Sequence, residues 1–307
     1  MKAMREIPVP KNLAYTFGPT HKPIARVRPG ETARIHCVDA AGDRISKSSH
    51  LCSKRTNFPF LNPQTGPIYV EGAEKGDTLV VEIHEITPTR DWVWSALIPN
   101  FGGLTSTTQT ATLNEPLIEK TWIYPLKDGY VHMNRGIKVP YQPFLGTMGT
   151  APEIESISSL APGNYGGNMD CADICPGNKV LFPVRVKGAH FFTGDGHAAQ
   201  GDGELCGVAC ELAVAVTVTF GLVKRKAINW PRVISPEAIM SIGSGRPMED
   251  AARIAWKDLV LWMESDFGFE KLEAYQLLSQ VGVMRLGNMV DTLYSMVAKC
   301  PRQYLPE

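Results

Sequence analysis

Leu212-Ala213-Val214-Ala215-Val216-Thr217-Val218-Thr219-Phe220-Gly221-Leu222-Val223 is the longest apolar run of the chain. It is too short to cross a bilayer as a helix, and it carries Thr217 and Thr219 inside it. Val214, Val216, Val218 and Phe220 fall on one side of an extended chain, with small residues mixed into the other, so the run reads as a strand. The same period of two recurs on its N-terminal side. Behind Pro29-Gly30, the stretch Thr32 to Val38 puts Ala33, Ile35 and Cys37 on one side and Arg34 and His36 on the other. The turn Lys75-Gly76-Asp77 leads into Leu79, Val81 and Ile83, alternating with Val80, Glu82 and His84. Val180 to Val186 alternates again after Pro176-Gly177-Asn178. Helical spacing comes late. Met248 to Ser265 places Ala251, Ile254, Ala255, Leu259 and Trp262 on one stripe, and Glu270 to Gln280 aligns Leu272, Tyr275 and Leu278, with Gly282 as C-cap. The expected fold is a β-rich body over residues 1–307 as one unit, with a helical segment at about 236–282 inserted near the C-terminal end.

Composition narrows the function. The chain has 307 residues, 44% apolar and 20% charged, which is ordinary for a globular protein. Lys plus Arg equals Asp plus Glu at 31 each, so the electrostatic case for a nucleic-acid partner is missing. Seven cysteines make an odd set, and Met1 to Pro10 carries charges but no apolar h-region. Reduced thiols in a soluble, cytoplasmic protein with no membrane partner are the expectation.

Chemistry concentrates in Phe191-Phe192-Thr193-Gly194-Asp195-Gly196-His197-Ala198-Ala199-Gln200-Gly201-Asp202-Gly203-Glu204. Asp195 and His197 stand two apart and point the same way in an extended chain, and so do Asp202 and Glu204. The glycines between them allow backbone paths that fold both pairs toward one point. Imidazole with carboxylates suits zinc or a similar divalent ion. Glu204 borders Cys206 to Phe220, which reads as buried, and a carboxylate there needs a partner. Upstream, Gly166-Gly167-Asn168-Met169-Asp170 offers an amide to a substrate carbonyl and a further carboxylate to the metal. A turn with an Asx hydrogen bond explains that segment equally well.

Read together, Pro143-Phe144-Leu145-Gly146-Thr147-Met148-Gly149-Thr150-Ala151-Pro152, Gly166 to Asp170 and Gly194 to Glu204 resemble the acetamidase/formamidase family. Gly66-Pro67-Ile68-Tyr69-Val70-Glu71-Gly72-Ala73 and Val38-Asp39-Ala40 resemble its N-terminal motifs, and the matches keep family order over most of the chain. The resemblance implies a mainly β fold with a β-sandwich body and an α+β part. It also implies a divalent metal and hydrolysis of formamide or acetamide to the acid and ammonia. Asp170, Asp195, His197, Asp202 and Glu204 match polar positions of the motifs; Asp39 and Glu71 match as well, without an assigned role. One departure bears on substrate choice: Tyr141 to Leu145 lacks a His that some family members carry just before the glycine matching Gly146.

The expected ligands are Asp195, His197 and Asp170, with Glu204, and Asp202 beside it, moving the proton from water to the leaving amine. Asn168 is the candidate to orient the substrate carbonyl. Ligand and base roles remain exchangeable between Glu204 and Asp170. Zinc is the expected ion, calcium the candidate for an additional one, and a homodimer the expected assembly. Against this stand a cupin-like or β-sandwich protein that binds a metal or small ligand without hydrolysis, and a cysteine hydrolase using Cys171. The paired His of a cupin is missing because position 195 is Asp. Asp170 beside Cys171 discourages a thiolate. The pairs Cys171/Cys175 and Cys206/Cys210 read as buried small apolar residues rather than a zinc–thiolate site.

Overall fold

In a computed structural model that describes residues 4–104 and 118–306, the long apolar run becomes the strand Val214–Val223, inside a nine-stranded sheet. Its neighbours Thr32–Cys37 and Thr78–Pro88 are both antiparallel to it, so Val216 stands opposite Ile35 on one side and Ile86 on the other. Thr219 takes a polar role, with its hydroxyl 2.7 Å from that of Thr32 and 2.6 Å from His84 Nε2. Beyond Thr78–Pro88 the sheet continues through Lys179–Pro183, Arg232–Ile234, Ala238–Gly245 and Tyr294–Pro301 to Val283–Asn288. Arg5–Ile7 forms its other edge, parallel to Thr32–Cys37.

A second sheet centres on Phe191–His197, which pairs antiparallel with Phe144–Thr150, Glu211–Leu212 and Thr65–Val70. Phe144–Thr150 carries Gly166–Asn168 on its far side, while Glu211–Leu212 leads to Trp92–Leu97 and Lys120–Lys127. The two sheets share one core. Ile35, Val216 and Val218 from the first pack with Ile68, Leu145 and Met148 from the second, and Phe191 meets Phe220 edge to face at 5.4 Å. This is the mainly β, sandwich-like body expected; of three α-helices among the described residues, the short Cys52–Arg55 lies early and the two long ones lie near the C-terminal end.

The helices Met248–Phe267 and Lys271–Val281 lie against the Ala238–Gly245 and Tyr294–Pro301 end of the first sheet. Ala255, Leu259 and Met263 are fully buried there with Ile239, Ala298 and Cys300; burying a Leu or Met side chain contributes about 1.5–3 kcal/mol. Gly243 allows the close approach, because a Cβ at that position would lie 2.6 Å from Ala255 N. Arg232 clamps Asp258 with two bonds of 2.7 and 3.1 Å, so the one carboxylate on the buried helix face is paired. Glu270 caps the second helix by accepting from Leu272 N and Glu273 N, and Gly282 ends it. The apolar stripe expected on that helix is corrected. Leu272 and Tyr275 are 69% and 66% exposed, and the packed face is Ala274 with Leu278. Alanine at 274 lets the helix sit close to its neighbour, which a count of large apolar residues does not register.

Candidate metal centre

The strand Phe191–His197 carries Asp195 and His197 to the same point: His197 Nε2 lies 3.3 Å from Asp195 Oδ1. Glu211 is the register partner of His197 on the adjoining strand, and its Oε1 lies 3.6 Å from the same Nε2. Asp170 arrives from the end of Gly166–Asn168, where its backbone N–H bonds to Gly146 O at 3.0 Å. Glu204 arrives from the turn after Gly203. The ligand atoms of Asp170, Asp195 and His197 lie within 4.8 Å of one another, and those of His197, Glu204 and Glu211 do likewise.

Local backbone strain serves this convergence. Asp170, Asp195 and Glu204 have φ of 47°, 60° and 49°, left-handed values that cost a non-glycine residue energy and cluster at functional sites. Gly146 leaves the meeting point open. A Cβ there would lie 2.5 Å from Asp195 Oδ2, 2.7 Å from Asp170 Oδ1 and 2.8 Å from His197 Cε1. Leu145, just before Gly146, is fully buried in the shared core.

Neutral groups hold the carboxylates in place. Asn288 Nδ2 donates to Asp170 Oδ2 at 3.0 Å, and Thr147 Oγ1 donates to Asp195 Oδ2 at 3.1 Å. Asn62 Nδ2 reaches Asn168 Oδ1 and Thr147 Oγ1, both at 2.8 Å, and Asp195 Oδ2 at 3.3 Å. Asn168 spends its own amide on protein partners: Oδ1 accepts from Asn62 and Thr147, and Nδ2 donates to Asp291 Oδ2 at 2.7 Å.

The buried groups are mostly acidic. Asp170, Asp195, Glu204, Glu211 and Asp291 are all buried beside a single imidazole. Burial, then neighbouring carboxylates, push Asp170 and Glu204 well above the usual carboxylate range. Burial raises Glu211 to about 8, against the pull of His197 and with the help of Asp195. It raises Asp291 to about 7 despite the hydrogen bond from Asn168. Burial works against a charged His197, but Asp195 and Glu211 outweigh it and lift the ring to about 10. Asp170 Oδ1 and Glu211 Oε2 are buried without a hydrogen-bond partner. Unpaired acceptors of this kind, next to an imidazole and an open glycine face, fit a divalent ion.

Not every residue expected from the sequence joins the cluster. Asp202 is corrected. Gly203 and Glu204 take left-handed φ of 84° and 49°, so Asp202 and Glu204 diverge instead of sharing a direction. Asp202 faces solvent, bound by Arg285 at 2.6 and 2.7 Å. Asp39 is buried elsewhere, accepting from Arg90 at 2.7 Å and Trp94 Nε1 at 2.9 Å, and Glu71 pairs with Arg28 near the surface. All seven cysteines are free, and neither ligand group among the described residues contains one. Glu211 and Asp291 were not anticipated. Glu211 had a legible signal, a lone carboxylate between Val208-Ala209-Cys210 and Leu212-Ala213; Asp291 had none nearby.

Glu204 and Gln200 also line a recess of about 660 Å³ with Leu97, Met133, Val139 and Val208 among its walls. The cluster therefore has an acidic interior beside a mainly apolar recess.

The sequence matches the model of the Acetamidase/Formamidase family over residues 10–161 and 155–301. It is 27% identical to a formamidase of Methylophilus methylotrophus over 257 residues, 66% of this chain and 61% of that protein. It is 27% identical to an acetamidase of Mycolicibacterium smegmatis over 280 residues, 73% of this chain and 68% of that one. The chain thus spans about 61% of the length of the curated formamidase it matches. The crystal structure of an acetamidase from Yersinia enterocolitica superposes with a TM-score of 0.96 at 44% identity, covering 100% of this chain and 94% of that one. An acetamidase from Bacillus halodurans gives 0.89 at 31% identity, covering 97% and 98%. Matched by the family model along nearly its whole length, and by solved acetamidases in fold, the chain belongs to the acetamidase/formamidase family.

Proposed function

We propose that the protein hydrolyses short primary amides such as formamide and acetamide to carboxylate and ammonia, using a divalent ion held by Asp170, Asp195 and His197. The observation that carries this reading is the convergence of those three ligand atoms within 4.8 Å on the open face of Gly146, in a chain of this family. Such an ion polarises an amide carbonyl and lowers the pKa of water toward neutrality. Glu204 is the residue that handles protons. It stands where the buried cluster meets the recess, and its raised pKa suits a group that alternates between acid and base. An amide nitrogen leaves only after protonation, so a group that takes a proton from water and returns it to nitrogen is required. Asp202 lines the same recess but is held by Arg285, which favours Glu204 for that task, and Asn168 acts through Asn62, Thr147 and Asp291. His197 favours zinc, and the surplus of carboxylates leaves oxygen donors for a harder ion such as calcium. The unpaired cysteines suit a reducing, cytoplasmic location, and no helix among the described residues is long and apolar enough to cross a membrane. A homodimer completes the proposal, testable by light scattering.

Ammonia release from formamide, acetamide, propionamide and urea, assayed beside metal analysis, tests the activity. Turnover of the short amides is expected. Tight metal with no turnover of any amide would make the protein a binding module instead.

Cys171→Ser is expected to keep most activity. The thiol is fully buried, burial and then Asp173 push its pKa up, and its hydrogen bond goes to Asp173. Loss of activity with fold and metal intact would shift the case to covalent catalysis.

The raised pKa values also predict how stability follows pH. Glu211 and Asp291 bind protons more tightly in the folded state than at their ordinary values of 4.5 and 3.8, up to about 8 and about 7. His197 does so between 6.5 and about 10. The folded state therefore holds extra protons across this range, and the metal-free protein loses stability as pH rises from 5 to 8. An ion binds the deprotonated carboxylates, so its stabilisation grows in the same direction. Melting temperatures with and without zinc at pH 5 and pH 8 check this. The zinc-induced rise is expected to be larger at pH 8, and an equal or smaller rise there would contradict it.

A further inference from the structure

Gln200 lies three residues beyond His197, half-buried between three segments of chain. Its Nε2 donates to two backbone carbonyls, Asp170 O at 3.2 Å and Gly287 O at 3.1 Å. A carbonyl oxygen only accepts, so these two bonds decide which end of the amide is nitrogen. The other end, Oε1, is thereby turned on His197 Nδ1 at 3.0 Å. An amide oxygen only accepts too, so Nδ1 is the ring atom that must carry hydrogen. The opposite nitrogen, Nε2, then points at Asp195 Oδ1 and Glu211 Oε1. Phe144 closes one side of the imidazole edge to face, with ring centres 5.0 Å apart.

We propose that Gln200 is a positioning residue that holds His197 with hydrogen on Nδ1 and so presents Nε2 as the metal-binding atom. Its two donated bonds tie the same side chain to the backbone of Asp170 and to Gly287. The next residue, Asn288, bonds the Asp170 carboxylate. One amide therefore fixes the ring and the segments that place a second ligand. Outer hydrogen bonds of this type commonly control metal affinity by ten- to a hundredfold. The inference rests on the proposed metal reading and says which nitrogen binds and what makes it bind.

The test uses full-length protein labelled with [15N]histidine and loaded with zinc. In the unmodified protein, His197 is expected to show a Nδ1–H resonance protected from solvent exchange, with zinc on Nε2. Gln200→Met, similar in length but without the amide, is expected to lose that protection and to bind zinc at least about tenfold more weakly. Gln200→Glu keeps an acceptor for Nδ1 but loses the bonds donated to Asp170 O and Gly287 O, so it is expected to show Nδ1–H protection between that of the parent and Gln200→Met. Zinc on Nδ1, or unchanged protection and zinc affinity in Gln200→Met, would overturn the assignment. If Gln200→Met does not fold, the unmodified protein still decides, since an unprotonated Nδ1 overturns the proposal alone. Failure of the unmodified protein to bind zinc at all would instead overturn the metal reading, and this assignment with it.

Discussion

Glu204→Gln is expected to keep the fold and the metal while turnover on formamide falls by about two to four orders of magnitude. The replacement is nearly isosteric, and the left-handed backbone at position 204 is unaffected by the exchange of an oxygen for an NH2 group. What disappears is the capacity to accept and return a proton. Removing one carboxylate from a buried group of like charges also relieves repulsion with Asp291, Glu211 and Asp195, so the metal-free variant should melt no lower than the parent. Metal content, melting temperature and turnover on one preparation separate the outcomes. Loss of metal would make Glu204 a ligand, in keeping with its place within 4.8 Å of His197 and Glu211. Normal turnover per metal-loaded molecule would remove it from the reaction, leaving Asp170 as the candidate base.

Gly146→Ala should abolish most metal binding although it removes no donor atom. The φ of Gly146 is not in the left-handed region, so alanine is tolerated by the backbone. The new methyl would stand 2.5 Å from Asp195 Oδ2 and 2.7 Å from Asp170 Oδ1, inside ordinary contact and on the face where the ion is proposed to sit. Both carboxylates and the His197 ring must move apart. Affinity for zinc is expected to fall by at least about ten- to a hundredfold, with activity falling in parallel. Metal analysis after gel filtration and a zinc titration measure this. Parental affinity and turnover in Gly146→Ala would place the ion elsewhere.

Much of this molecule was legible before any coordinates. Alternation in Thr32 to Val38, Leu79 to His84 and Val214 to Phe220 predicts three strands that all form, because each has one side in the shared core. The period of 3.6 in Met248 to Ser265 predicts the long helix almost to its end, where Gly268 takes the left-handed cap. Asp195 and His197 meet although Asp195 itself takes a left-handed φ of 60°, because the residues on either side of it stay paired with Phe144–Thr150. Asp202 and Glu204 have the same spacing and do not, since Gly203 and Glu204 turn the chain between them. The other half of the cluster was hidden for a different reason. Glu211 and Asp291 reach His197 and Asp170 through strand pairing and a loop distant in sequence, and local patterns carry no information about such encounters. Gly146 was visible as part of a motif, but its role as the open floor between Asp170 and Asp195 exists only in three dimensions.

The proposed amide hydrolysis depends on an ion bound among Asp170, Asp195 and His197. Its most direct test is a titration of zinc into thoroughly chelated protein, with bound metal and ammonia release from formamide measured at each step. Negligible release is expected without metal, with a rate that rises in proportion to occupancy until the site is full. Full activity in the metal-free protein, or a rate that ignores occupancy, would contradict it.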